Sequence, residues 1–188
     1  MNLPLENPRR VGIIAMGTSG SGKSTIAKEI SLKLGCKLIE GDDFHSQYNI
    51  EKMKRGEGLT DEDRGPWLDA IASEITQHFT KNPEDQVVLI TCSALKLKYR
   101  KLLNSCETSN LKLGYLYLQG DANIIKERLK SRPDHFAKSN LLDSQLRDLE
   151  VPSEPEIFEI ISINTTLEDS VKMGYTACQQ LINRLESQ

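Results

Sequence analysis

Apolar residues gather into short β-rich runs at 11–15, 36–39, 87–91, 113–118 and 158–163, and most of the gaps between them carry helical spacing. After the first run Ile26, Ile30 and Leu34 recur at four-residue steps. Trp67, Ile71, Ile75 and Phe79 do the same after Pro66, which the pattern places in a first helical turn. Leu95, Tyr99, Leu102 and Leu103 mark a third helix, Ile125 and Leu129 a fourth, and Val171, Cys178, Ile182 and Leu185 a C-terminal one. This alternation predicts an α/β fold, a five-stranded parallel sheet flanked by helices on both faces. Ligands of such sheets lie beyond the carboxyl ends of the strands. The segments that fall there are the turn after the first run, Gly41-Asp42-Asp43, Ser93-Ala94, Gly120-Asp121 and Asn164.

The first of these turns reads Gly17-Thr18-Ser19-Gly20-Ser21-Gly22-Lys23-Ser24, followed by Thr25. GxxxxGKS between a strand and a helix is a phosphate-binding P-loop. Its glycines let several backbone N–H groups converge on phosphate oxygens, and the helix start adds the positive end of its dipole. Lys23 reaches the β and γ phosphates, and Ser24 offers a hydroxyl to magnesium. A dinucleotide fingerprint would close with Gly or Ala where Thr25 stands and has no role for Lys23, so ATP is the expected ligand.

The chain has 188 residues and no linker or composition shift, which suits one α/β domain with a single core. Its net charge of −3 argues against nonspecific attraction to nucleic acid or to an anionic membrane surface. Cys36, Cys92, Cys106 and Cys178 are scattered without metal-ligand spacing, so they read as reduced thiols of a soluble, cytoplasmic protein. Residues 1–10 read as a flexible N-terminus with no signal-peptide core, and no apolar run is long enough to span a membrane.

Asp42, just past the second run, can orient or deprotonate an acceptor hydroxyl or hold magnesium through water; it can equally be an ordinary turn residue. In Leu59-Thr60-Asp61-Glu62-Asp63-Arg64, Asp61 and Asp63 can line a pocket or cap the helix that follows, whereas Arg64 has no evident structural reason. Lys96 and Arg100, four apart on one helix, can hold an anionic substrate or form a solvated face. Arg128 and Arg132 repeat that spacing before a polar stretch that reads as a mobile lid, suited to delivering arginines to a transferring phosphoryl group. His45 and His135 are candidate substrate contacts, and Trp67 reads as core.

The segments GTSGSGKST, EGDDFH, NIEKM, LTDEDRGPWL, ITCSALKLKYR and RLKSRPDHF, in this order and spacing from about residue 11 to 158, closely resemble the gluconokinase family. That resemblance implies an adenylate-kinase-like P-loop fold, here a single domain over 1–188 with a helical lid at about 122–150. It also implies ATP-dependent phosphorylation of D-gluconate at its 6-hydroxyl, feeding the pentose phosphate pathway, and a homodimer. By the same resemblance the loop from Gly17 to Thr25 binds ATP, and Lys23, Asp42, Arg128 and Arg132 are catalytic. Asp42, His45, Asp63, Arg64, Lys96 and Arg100 then face the sugar acid. The chain departs from some relatives at Gln47 and Tyr48, in a loop where those carry basic residues. Its third strand runs into Thr91-Cys92-Ser93 where other P-loop proteins have a Walker B Asp, which leaves Ser24, Asp42 and waters around Mg2+.

Overall fold

A computed structural model describes residues 9–130 and 135–187. At its centre lies a parallel sheet in the order β2-β3-β1-β4-β5, built from β1 (Arg10–Met16), β2 (Lys37–Glu40), β3 (Val87–Thr91), β4 (Leu111–Gln119) and β5 (Phe158–Ser162). β1 pairs with β3 through Ile13 and Leu89, and with β4 through Ile13 and Gly114. Its side chains alternate between two cores. Val11, Ile13 and Ala15 pack with Ile26 and Ile30 of α1 (Lys23–Leu34) and Cys178 and Leu181 of α7 (Leu167–Glu186). Ile14 and Met16 pack with Leu68, Ile71 and Ile75 of α3 (Asp61–Lys81) and Tyr99 of α4 (Leu97–Leu103). Burial on both faces is why β1 reads as a continuous apolar run and not as an alternating one.

Several boundaries differ from the sequence expectation. Helix α3 starts five residues before Pro66, because Thr60 and Asp63 form a capping box that nucleates it upstream. Pro66 therefore lies inside the helix. The carbonyl it leaves unpaired is that of exposed Glu62, where water can serve it. Gln47 and Tyr48 do not occupy a loop; they open α2 (Gln47–Lys54), whose N-cap Ser46 accepts from the Asn49 N–H. Lys96 is the extended N-cap of α4 and does not share a helical face with Arg100. The stretch expected as a lid contains α5 (Ala122–Lys130) and α6 (His135–Asp148), with 131–134 outside the described residues, as are 1–8 of the expected N-terminal segment. All four cysteines are free, and among the described residues no helix is long and apolar enough to cross a membrane.

Candidate functional site

The carboxyl edge of β1 turns through Gly17 into a loop that ends at Gly22, the N-cap of α1. Gly20 and Gly22 have φ of +80° and +87°, a left-handed backbone that a side chain would strain. Gly22 supplies no side-chain cap, so the N–H groups of Lys23, Ser24 and Thr25 open α1 without the partners a helix interior would give them. Ser19, Gly20, Gly22, Lys23, Ser24 and Thr25 line a cavity of about 240 Å³. An uncapped helix start beside a lysine is a cradle for phosphate oxygens. Gly17, Thr18 and Ser21 shape the loop from behind: the Gly17 N–H donates to Ser93 O, the Ser21 N–H donates to Thr18 O, and Thr18 O also accepts from Lys23 Nζ at 2.9 Å. The Ser21 hydroxyl is buried and, among the described residues, has no hydrogen-bond partner. Burial lowers the Lys23 pKa, against the opposing pull of Asp42, Cys92 and Glu40.

Behind the lining residues Ser24 and Thr91 the end of β2 delivers a carboxylate that the motifs did not single out. Glu40 Oε2 accepts from Ser24 Oγ at 3.0 Å and from Thr91 Oγ1 at 2.6 Å, and Thr91 Oγ1 accepts from the Gly41 N–H at 3.2 Å. Glu40 thus stands on the hydroxyl expected at magnesium. Its sequence signal was Glu40-Gly41-Asp42, two carboxylates spaced by one residue at a strand end. Among the described residues no cluster of His, Cys, Asp and Glu could hold a metal alone. The set fits a hydrated Mg2+ carried on nucleotide phosphates, which needs only one or two protein ligands.

Asp42 lines the cavity with an 84 % exposed carboxylate, in a 3-10 turn over Gly41–Phe44. Behind it the His45 ring, 4 % exposed, stacks on Trp67 with centroids 4.1 Å apart, and Trp67 Nε1 donates to Gly41 O at 2.7 Å. Trp67 is therefore both core and cavity wall. Burial lowers the His45 pKa; Asp42, 3.9 Å away, opposes this and Arg64 adds to it.

The expected substrate cations separate into distinct roles. Arg64 lines the cavity, and its Nη1 donates to Tyr99 Oη at 2.8 Å and Asp148 Oδ2 at 3.0 Å. Lys96 does not line it; its ammonium pairs with Asp148 at 3.1 Å and Asp61 at 3.3 Å. Arg100 is a correction. It is 1 % exposed, grips both oxygens of Glu156 at 2.6 and 3.2 Å, donates through Nη1 to the carbonyls of Ala94, Leu95 and Glu150, and does not line the cavity, so it is sealed into the fold away from a substrate there. Asp63 is another: its carboxylate caps α3 through the Thr60 N–H and pairs with Lys52 at 2.7 Å, away from the cavity. Arg128 Nη2 donates to Ile163 O at 2.7 Å, and Arg128 is not among the residues that line the cavity. Arg132 lies outside the described residues, as does the side chain of His135.

Helix α6 closes the cavity with Leu141 and Gln145, neither of which the motifs singled out; Gln145 Oε1 accepts from the Ser19 N–H at 2.5 Å. Asp148 anchors the helix end on Arg64 and Lys96.

A family model described as an AAA domain matches residues 13–152. The chain is similar to a probable gluconokinase of Dictyostelium discoideum, 39% identical over 89% of this chain and 86% of that protein. It is similar to the thermoresistant gluconokinase of Escherichia coli (strain K12), 41% identical over 84% of this chain and 87% of that one. Among solved structures, a gluconokinase from Sinorhizobium meliloti 1021 superposes with a TM-score of 0.80 at 34% identity, covering 95% of this chain and 96% of the other.

Proposed function

The chain belongs to the gluconokinase family, and from that membership we propose that it transfers the γ-phosphoryl group of ATP to the 6-hydroxyl of D-gluconate, giving ADP and 6-phospho-D-gluconate. The observation that carries the reading is one cavity lined on one side by the uncapped start of α1 with Lys23 and on the other by Asp42. The loop amides and Lys23 hold the triphosphate. Asp42 orients the acceptor hydroxyl and takes its proton as oxygen attacks phosphorus and the bond to the leaving ADP oxygen breaks. Ser24 and Glu40 would hold a hydrated Mg2+ between them, and the ion would supply positive charge against the phosphates. Of the cations expected at the sugar acid, Arg64 is the one that lines the cavity, so it is assigned the carboxylate, with His45 beside it. Helices α5 and α6 serve as the cover that excludes water. A cytoplasmic setting and a homodimer complete the reading; the dimer rests on the family resemblance and is decided by sedimentation.

The test is ATP consumption with Mg2+ across gluconate, glucose, shikimate and AMP. Gluconate should turn over at about 1–100 per second, typical of kinases, and glucose poorly, since it would leave Arg64 unpaired in a closed site. Phosphoryl transfer confined to shikimate or AMP would overturn the reading.

A further inference from the structure

Gln145 has no role in the chemistry described above, yet its side chain is built into the cavity. It is 8 % exposed and lines the same space as Ser19, Lys23, Asp42 and Arg64. A backbone N–H can only donate, so the atom 2.5 Å from the Ser19 nitrogen is the amide oxygen. The –NH2 end is then the free end. Among the described residues it donates to no protein acceptor and is not sealed from solvent, which leaves it available to a molecule in the cavity that Gln145 lines. Helix α6 is fixed on both sides of this contact. Asp148 is held by Arg64 and Lys96, and Ser144 lies so close to Gly58 that a Cβ there would come within 2.4 Å of its Oγ. An amide pinned by its oxygen on a fixed helix has a fixed aim, which is the condition for a preorganised donor.

We propose that Gln145 is a substrate-contacting residue: the Ser19 amide holds its oxygen so that its –NH2 group donates to an oxygen of the transferring γ-phosphoryl group. Gln145 and Lys23 line the same cavity, and the most strongly charged acceptors that a kinase brings into that space are phosphoryl oxygens. The inference rests on the phosphotransferase reading and adds to it a neutral donor supplied by the covering helix. A latch that merely ties α6 to the loop would use only the oxygen.

The two roles separate in Gln145→Glu, which keeps an acceptor for the Ser19 N–H but turns a carboxylate oxygen toward the phosphates. The donor role predicts that Gln145→Glu and Gln145→Met both lower kcat about 10- to 100-fold, the usual worth of a hydrogen bond to a charged group. KM for gluconate should change less than about threefold. Affinity for a non-hydrolysable ATP analogue should fall about tenfold while ADP affinity is kept, because ADP lacks the phosphoryl group contacted. Near wild-type kcat in Gln145→Glu would overturn the proposal in favour of the latch. Should Gln145→Met fail to fold, Gln145→Glu, which retains the Ser19 contact, still decides. If wild-type protein phosphorylates no sugar acid, the functional reading fails, and the comparison of ATP analogue with ADP remains: equal losses or no loss in Gln145→Glu would then overturn the Gln145 contact itself.

Discussion

Replacing Arg100 with methionine tests whether this cation holds the fold or the substrate. Its guanidinium is sealed, with two bonds to Glu156 at 2.6 and 3.2 Å and Nη1 shared among three carbonyls at 2.9 to 3.2 Å. Methionine fills much of the volume but leaves a largely buried carboxylate whose remaining contact among the described residues is the Ser153 N–H at 3.2 Å. Removing one partner of a buried pair costs about 3–5 kcal/mol. For a chain of 188 residues, each kcal/mol lowers Tm by about 2–4 °C, so the melt should fall by about 6–20 °C. Thermal unfolding followed by circular dichroism gives that number, and gluconate KM measured well below the transition gives the second. KM should stay within about twofold of wild type, because Arg100 does not line the cavity. Glu156→Gln should also lower Tm. A variant melting within about 2 °C of wild type with KM raised tenfold would refute the reasoning and return Arg100 to the substrate.

Asp42→Asn should retain ATP affinity and lose roughly a hundredfold in kcat, the worth of a positioned base, as read by coupled assay. Glu40→Gln should raise the magnesium concentration giving half-maximal rate, since it weakens the carboxylate on Ser24; an unchanged magnesium titration would separate Glu40 from the ion. Gly58→Ala should displace α6 through its contact with Ser144 and raise KM with little change in Tm, checked by kinetics beside a melt. Burial holds the folded His45 pKa below the usual 6.5, so below about pH 6.5 the unfolded chain binds the proton first. The stability present above that pH is then lost as pH falls toward the folded value. Urea titrations from pH 7 to 5 should show a flatter profile for His45→Gln than for wild type, and parallel profiles would dismiss this source.

The sheet was legible because its inner strands β1, β3 and β4 are buried on both faces and so appear as nearly unbroken apolar runs, and the P-loop because its chemistry is local to nine residues from Gly17 to Thr25. What escaped depends on distant partners. Arg100 looks like a surface cation until Glu156, 56 positions away, is brought against it. Glu40 acquires meaning only when β2, α1 and β3 bring Ser24 and Thr91 to the same oxygen. Gln145 meets Ser19 across 126 positions. Helix α2 is polar over most of its length, so its apolar period is faint, and Ser46 as N-cap was the local sign of it. Asp63 shows the reverse: cap and pocket were both open from sequence, and the reciprocal bonds with Thr60 decide for the cap.

The stack of His45 on Trp67 gives this protein a built-in optical probe. The chain has a single tryptophan, and its indole sits on the cavity wall with its N–H on the Gly41 carbonyl, next to Asp42. All indole emission therefore comes from one place, where a change at the acceptor side alters its polarity and its neighbours. A protonated imidazole quenches a stacked indole more strongly than a neutral one, so emission followed against pH reports the titration of His45 without any label. Gluconate and nucleotide can be titrated separately by the same light. The ligand whose binding shifts the spectrum is then the one that reaches the Gly41 turn.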